Sequence, residues 1–337
     1  MIRISYATLQ SGFQAALVNM GFDMDTAQEL AGIFADNQRD GVYSHGLNRF
    51  LSLRNDVSEG RIDIHAKPVK VHEAGALEQW DARGGPGPLN ARMAMRRACS
   101  IAEENGIGMV ALRNSNHWMR GGTYGLQAVD AGFIGLCWTN AKPIMRPWGG
   151  ADVRTGNNPL IIAIPTGGAP LLLDMALTQF SMGKIEMHRL TGHDLPCPGG
   201  YDEAGNLTKD PHVIKKSRNP LPIGLWKGTG LSMALDLLAA LLSGGNATRE
   251  LGEMDAEALA SQVFIAIDPQ ALGGTEKLRE RAGEILAYYQ ETPPENSGDP
   301  VRYPGQGMYK QREENMKKGI PVDPGQWETL RDMGKKT

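Results

Sequence analysis

The sequence predicts an α/β protein, a mixed sheet layered between helices in an α/β/α arrangement, flanked by further helices from both chain ends. Three observations lead there. Strand-like and helix-like runs alternate over residues 69–291, which implies a layered fold whose sheet is at least partly parallel. Several strand runs follow one another directly, which favours a mixed sheet over a purely parallel one. The first 60 residues and the end of the chain carry helical periodicity instead. With 337 residues the chain has room for two units at ~100–200 residues each. The expected division joins 1–68 with 292–337 in a helical unit and gives 69–291 to the sheet.

The elements follow in order. Ser5–Val18 places Leu9, Phe13, Ala16 and Leu17 at a helical period. Asp25 is the expected cap of a second helix with Ala27, Leu30, Ala31, Ile33 and Phe34 on its buried stripe. A third helix is expected from Ser44 through Leu47, Phe50, Leu51 and Leu53 to a stop at Gly60. Val69–His72 and Leu77–Asp81 flank Ala74-Gly75 as a hairpin or paired strands. Beyond the turn-rich Gly84–Pro88, Asn90 is expected to cap a helix ending at Gly106. Strands are then expected at Gly108–Leu112, Phe133–Trp138, Leu160–Ile164, Pro170–Met175 and Val263–Ile267. Helices are expected at Tyr124–Ala131, Leu231–Leu242 and Thr275–Tyr289. The Pro/Gly-rich stretch Thr292–Gly307 leads to a last helical segment ending near Met333.

Composition removes several function classes. Hydrophobic residues at 41% and charged residues at 22% are ordinary globular usage, which argues against disorder. Lys+Arg at 35 against Asp+Glu at 38 gives a net charge of −3 without a basic tract, so no nucleic-acid partner is expected. The longest apolar run, Leu231–Leu242, is broken by Asp236 and falls short of the ~20 residues a membrane span needs. The opening MIRISYATLQSGF lacks the apolar core of a signal peptide. Cys99, Cys137 and Cys197 lack metal-type spacing and suit a reducing compartment, so a cytoplasmic protein without a bound metal is expected.

The motifs leave the chemistry open at first. No G-x-G-x-x-G joins a strand to a helix, and the near match at Gly106–Ala111 has the order reversed, so its glycines read as a helix cap and a turn. Lys227-Gly228-Thr229-Gly230 precedes a good helix and reads either as an anion cradle with Lys227 or as a tight turn into a buried helix. G-x-S-x-G is absent, which removes the common serine-hydrolase pattern. If Ser44 caps its helix, His45 and Arg49 share one face four residues apart. Such a pair suits 2-keto acids: the arginine takes the carboxylate and the histidine handles the proton on the neighbouring oxygen. From the string alone, an ordinary helix end with two polar residues is the reading to prefer. His117 and Arg120, in a Gly-rich loop after a strand, either position a polar substrate or belong to an ordinary loop with Trp118 on the core. Asp174, ending an apolar strand, is either satisfied by backbone donors or orients a histidine.

Taken together, VYSHGLNRF (Val42–Phe50), EQWDA (Glu78–Ala82), GIGMVALRNSNHWMRGGTYG (Gly106–Gly125), GLCWTNAKPIMRPWGG (Gly135–Gly150), NNPLIIAIP (Asn157–Pro165) and WKGTGLSMALD (Trp226–Asp236) resemble the malate/L-lactate dehydrogenase family of the non-Rossmann type. The likeness covers nearly the whole chain, and NHWMRGG with EQWDA points to the branch that acts on sugar-derived keto acids. The resemblance implies a layered α/β/α fold of the L-sulfolactate dehydrogenase type, which accounts for the missing glycine fingerprint. It implies reduction of a 2-keto acid, or the reverse, with NADH preferred and NADPH possible, in a homodimer with each cofactor near the subunit boundary. The terminal helices would then serve substrate and dimer contacts, and the sheet unit the cofactor.

By the same likeness His45 matches the proton donor, Arg49 the substrate-side arginine, His117 a second active-site histidine and Asp174 a buried acid near the catalytic histidine. Cofactor contacts fall on Pro170, Leu171, Leu172, Leu173, Asp174, Met175 and Ala176, on Trp226 and Lys227, and on Pro304, Gly305 and Gln306. The chain departs from that branch in three places. Pro304-Gly305-Gln306-Gly307 stands where the branch reads Pro-Gly-His-Glu, Gly156-Asn157-Asn158-Pro159 replaces Gly-Thr-Asn-Pro, and Lys184 is nearer the wider family. The resemblance leaves malate, lactate, ureidoglycolate, sulfolactate or a cyclic imine-2-carboxylate as alternative substrates, and a non-catalytic binding protein as a remote one.

Overall fold

Seven strands form one sheet in the computed structural model, which describes residues 1–256, 258–295 and 298–335. Part of the Thr292–Gly307 stretch and the last two residues lie outside that description. The chain opens with β1 (Ile2–Ile4), α1 (Tyr6–Asn19), α2 (Met24–Arg39) and α3 (Leu47–Ser58). The sheet begins with β2 (Val69–Ala74) and β3 (Leu77–Asp81), crosses through α4 (Gly87–Asn105) to β4 (Ile107–Ser115), and continues with α5 (Gly122–Asp130), β5 (Ile134–Thr139), β6 (Leu160–Ile164) and β7 (Leu171–Met175). An excursion holds α6 (Met182–Thr191), β8 (Gly200–Tyr201), β9 (Leu207–Thr208) and α7 (Pro211–Ser217). Then come α8 (Trp226–Ser243), α9 (Thr248–Glu253), β10 (Ala260–Ile267), α10 (Thr275–Gln290), α11 (Gln306–Lys318), β11 (Ile320–Val322) and α12 (Pro324–Met333).

The strand order is β2-β3-β4-β10-β5-β6-β7, and among the described residues β3 and β4, joined by the α4 crossover, are the one pair of neighbours that run parallel. β4 and β5, joined through α5, also share a direction but are separated by the antiparallel β10. The expectation of a mixed sheet therefore holds. Late in sequence, β10 inserts between β4 and β5, with Val263 opposite both Ala111 and Trp138. Alternation along β4 sends Val110 and Leu112 to the α4/α5 face, with Trp118, Tyr124 and Phe264. Ala111 goes to the opposite face, where α8 packs through Leu235 and Ala239. A separate core unites the chain ends: Leu9, Phe13, Phe34 and Phe50 bury together with Ile320, Val322 and Leu330, and β1 pairs antiparallel with β11.

Several boundaries differ from expectation, each for a local reason. Asp23, not Asp25, caps α2, its carboxylate accepting from Thr26 N at 2.9 Å. Ser44 caps nothing: Tyr43–His45 is a single 3-10 turn, and Leu47, at the start of α3, gives its amide to Gln38 Oε1. Asn90 lies buried inside α4, which starts at Gly87 behind Pro86. A Cβ on Gly87 would meet Asn116 O at 2.2 Å, so the helix start is pressed against the loop after β4. The last helical segment is split by Gly319 and Pro321 into α11, β11 and α12. Polar sequence hid α6, α7 and α9.

The EQWDA motif is a clamp at one end of the sheet. Glu78 receives both nitrogens of Arg97 at 2.8 and 3.0 Å and the Trp80 indole N–H at 2.8 Å. Hydrogen bonds from Arg97, aided by Trp80 and Lys70, outweigh burial and hold the Glu78 carboxyl down at about 2. A depressed folded-state value contributes stability above the unfolded carboxylate range, and that contribution is lost as the pH falls. Wild-type protein is therefore expected to lose stability between pH ~4.5 and ~2 more steeply than Glu78→Gln, as urea titrations across that range would read.

Candidate active site

His45 reaches the site from the 3-10 turn between α2 and α3, with Ser44 Oγ 3.0 Å from its Nδ1. His117 comes from the loop after β4, where its Nδ1 accepts from Met119 N at 3.0 Å. That contact assigns the proton of a neutral His117 to Nε2. The two imidazoles lie nearly parallel, 8° apart in plane with centroids 5.9 Å apart. Two cavities meet at this pair. One, of about 380 Å³, is bounded by Leu172, Asp174, Ala176, Gly305 and Met308. The other, of about 340 Å³, adds Arg49, Lys142 and Ile144. Arg49 thus joins His45 at a cavity although the helix-face argument behind the pairing fails: His45 precedes α3 and Arg49 lies inside it.

Strand alternation divides the β7 segment. Leu172, Asp174 and Ala176 line the first cavity, Leu171 borders a groove under α10, and Met175 packs toward α8. Pro170 and Leu173 line neither of the two cavities. Asp174 is not the buried acid the resemblance implied, for it opens onto the cavity with its side chain 27% exposed. Its Oδ2 accepts from Gly122 N at 3.0 Å and lies 3.5 Å from Arg120 Nε. Glycine at 122 lets the carboxylate come this close, since a Cβ there would lie 2.5 Å from that oxygen and push the Asp174 side chain away.

NHWMRGG is both wall and frame: His117 to Gly121 border the first cavity, and several of its other contacts are architectural. Asn116 donates to the carbonyls of Gly84 and Gly85, and Trp118 packs against Tyr124 and Phe264. Arg120 borders the first cavity, but it is buried and its charge is paired with Asp40 at 2.9 Å. Asp40 also takes Arg39 at 2.8 Å and Arg312 at 2.7 Å. Burial alone would raise the Asp40 carboxyl, but hydrogen bonds from Arg312 and Arg39 outweigh it and hold it below the usual carboxylate value.

The last expected contacts scatter. Gly305, at φ +95°, closes on β7, and the carbonyl of Pro304 accepts from Leu172 N at 3.0 Å. Gln306 faces a neighbouring cavity beside Arg302 and Lys310, and its buried Oε1 has no partner among the described residues. Trp226 and Lys227 open α8 away from both histidine cavities, and Trp226 is 67% exposed. Gly228 serves a tight turn, since a Cβ would meet Ile223 O at 2.1 Å, yet α8 is not the buried helix expected: Leu237 and Leu241 face outward. Asn157, one of the departures from the branch pattern, borders both cavities, and sequence reasoning passed over Asn140, Lys142 and Ser181, which border them too. The signal for Asn140 and Lys142 was the polar turn after β5, where α/β sites form; Ser181 caps α6 after β7.

Comparison with solved structures defines the class first. The fold matches malate dehydrogenase from Entamoeba histolytica with a TM-score of 0.92 at 24% identity, over 98% of this chain and 97% of that one. It matches sulfolactate dehydrogenase from Methanocaldococcus jannaschii with a TM-score of 0.88 at 26% identity, over 98% of this chain and 96% of that one. The model of the family described as Malate/L-lactate dehydrogenase matches residues 4–331, and the chain belongs to that family. It is an oxidoreductase of the hydroxy acid/keto acid class that works with a nicotinamide cofactor. Among its relatives, the 2,3-diketo-L-gulonate reductase of Mannheimia succiniciproducens is 43% identical over 334 residues, 98% of this chain and the whole of that one.

Proposed function

We propose that the protein reduces 2,3-diketo-L-gulonate to 3-dehydro-L-gulonate with NADH, NADPH being the second candidate. The observation that carries this reading is the histidine pair between two unlike cavities, one bounded by β7 and Gly305, the other by Arg49 and Lys142. The first fits a nicotinamide: its walls at Leu172, Ala176 and Gly305 are small or apolar, and the polar side chains of Thr139 and Asn140 border it. When bound, the reduced cofactor supplies the hydride. Arg49 takes the substrate carboxylate, with charge-assisted hydrogen bonds setting its orientation. His45, as imidazolium, donates a proton to the oxygen on which negative charge develops, and the Asp174 carboxylate in the same cavity favours that charged form. His117, donating through Nε2, holds the neighbouring oxygen.

The residues of 1–68 and 292–337 act as the substrate unit, supported by their shared core and by His45 and Arg49 at the cavities. Residues 69–291 hold the cofactor, with the dimer contact on α8 of that unit rather than on the terminal helices. The protein works as a homodimer, supported by the outward apolar face of α8, where Leu241 is 74% exposed. Among the described residues no helix is long and apolar enough to cross a membrane. Unpaired Cys99, Cys137 and Cys197 support a cytoplasmic setting.

The first test follows absorbance of reduced nicotinamide while purified protein meets 2,3-diketo-L-gulonate with NADH, then with NADPH. Loss of absorbance is expected, faster with NADH. Reaction with pyruvate or a cyclic imine alone would keep the chemistry and discard the sugar acid. Arg49→Met is expected to raise KM for the keto acid about 10–100-fold, the equivalent of one charge-assisted hydrogen bond, with KM for NADH unchanged. Replacing Leu237 and Leu241 together by Glu should convert a dimer into monomers in sedimentation velocity. A wild-type protein that already sediments as a monomer would remove the dimer from this reading.

A further inference from the structure

We propose that Asn37 is a positioning residue for the reaction, its carboxamide fixing the turn that bears His45 against the helix end that holds Asp174. The inference rests on reading His45 as the proton donor. Asn37 lies fully buried in the last turn of α2, beyond a stripe of Leu30, Ile33 and Phe34 that packs the helical core. A carboxamide in such surroundings is costly unless both its ends are hydrogen-bonded. Both are: Nδ2 donates to the carbonyl of His45 at 3.1 Å, and Oδ1 accepts from Thr123 Oγ1 at 3.0 Å. A carbonyl only accepts, so the His45 end sets the amide's orientation and leaves its oxygen for the threonine hydroxyl.

Thr123 follows Gly122 at the start of α5, and Gly122 donates its N–H to Asp174 Oδ2 at 3.0 Å. One hydrogen-bonded path therefore runs from the His45 main chain through Asn37 and the α5 end to Asp174. It joins two site groups on elements far apart in sequence. Gln38 grips the other side of the turn, accepting from Leu47 N at 3.0 Å and donating to Pro321 O at 3.0 Å. The fit leaves no room at Gly46, where a Cβ would lie 2.2 Å from Gln38 Oε1. The turn itself is a single 3-10 turn with bonds from His45 N to Val42 O and from Gly46 N to Tyr43 O. So short a turn has little rigidity of its own, and its placement is set by what grips it. A general acid acts only within hydrogen-bond reach of the reacting oxygen, and a misplacement of ~1 Å can cost ~10²-fold in rate.

The test uses Asn37→Asp, which keeps shape and acceptor but turns a carboxylate toward the His45 carbonyl, with Thr123→Val and Thr123→Ser as a pair. Asn37→Asp is expected to lower kcat about 10²-fold while KM for NADH and keto acid move less than about threefold. Thr123→Val is expected to lower kcat about tenfold, and Thr123→Ser, which keeps the hydroxyl, to stay within about twofold of wild type. In the protein without cofactor, the His45 ring signal in proton–carbon spectra, identified by its loss in His45→Gln, should shift in Asn37→Asp and Thr123→Val but not in Thr123→Ser. An unmoved His45 signal in folded Asn37→Asp and Thr123→Val, or equal losses of kcat in both Thr123 variants, would overturn the proposal. If Asn37→Asp does not fold, the Thr123 pair decides. A wild-type protein that turns over no keto acid would sink the reading of the reaction, while the His45 signal still decides whether Asn37 and Thr123 set the ring.

Discussion

His45→Gln is expected to lower kcat for keto-acid reduction about 10²–10⁴-fold, the range general acid catalysis typically supplies. Glutamine preserves much of the side-chain volume and a hydrogen-bond donor, but it cannot release a proton. The carbonyl of His45 held by Asn37 and the neighbouring Ser44 are backbone or separate features, so the turn should survive the change. Binding of NADH, followed by fluorescence, should accordingly stay close to wild type, because the walls at Leu172, Ala176 and Gly305 are untouched. The pH profile adds a second reading: the limb of kcat that reports the protonated acid should disappear. Full turnover in the variant would move the proton-donor role away from His45, with His117 the next group to test, since its ring is 5.9 Å away in the same site.

Asp40→Asn is expected to destabilise the protein by about 3–5 kcal/mol, the usual cost of breaking a buried ion pair by removing one partner. The side chains of Asp40 and Arg120 are only 2% and 4% exposed, so the arginine left behind has almost no access to water. Arg39 and Arg312, at 19% and 29% exposed, can solvate themselves in part, which makes Arg120 the main source of the cost. The sign with pH follows from the depressed Asp40 carboxyl. Its contribution is complete above the unfolded carboxylate value of ~3.9 and is lost as the pH falls through the lower folded value. Urea unfolding at neutral pH should show the full difference between wild type and variant, and the two should converge in acid. A difference below ~1 kcal/mol at neutral pH would mean that Arg120 finds water or another partner once the carboxylate is gone. Because Arg120 lies 3.5 Å from Asp174, the same variant should also loosen the acid in the cavity.

Much of the sheet was legible because apolar runs bounded by turns leave few alternatives: β6 starts and stops where its sequence said, and β3, β5 and β7 agree within a residue. The start of β10 was not, because buried Ser261 and Gln262 look like loop residues until Asn140 and Asn246 are seen to bond Ser261 and the Asn116 carbonyl to accept from the Gln262 amide. The helix caps misled wherever several polar residues compete, as with Asp23 and Asp25, since the choice rests on backbone angles that composition does not carry. In the same way Leu241 and Leu237 read as core, although the period alone cannot say whether an apolar face meets this chain or another surface.

The site divides along the same line. Motif resemblance singled out His45, Arg49, His117 and Asp174, and the fold brings all four to the two joined cavities. It also attached Arg120 and the EQWDA segment to function, where the structure gives them ion pairs and hydrogen bonds that hold layers together. By itself the sequence determined which residue types are available and the local elements that carry them, because periodicity and turn chemistry act over a few residues. Only the tertiary structure decided that Asn37 meets His45 and Thr123, that Asp40 gathers three arginines, and that alternate residues of β7 face the cavity. Most of those contacts, such as Asn37 with Thr123 and Asp40 with Arg120 and Arg312, join segments tens to hundreds of residues apart, and their energies depend on burial and distance, which exist only once the layers have packed.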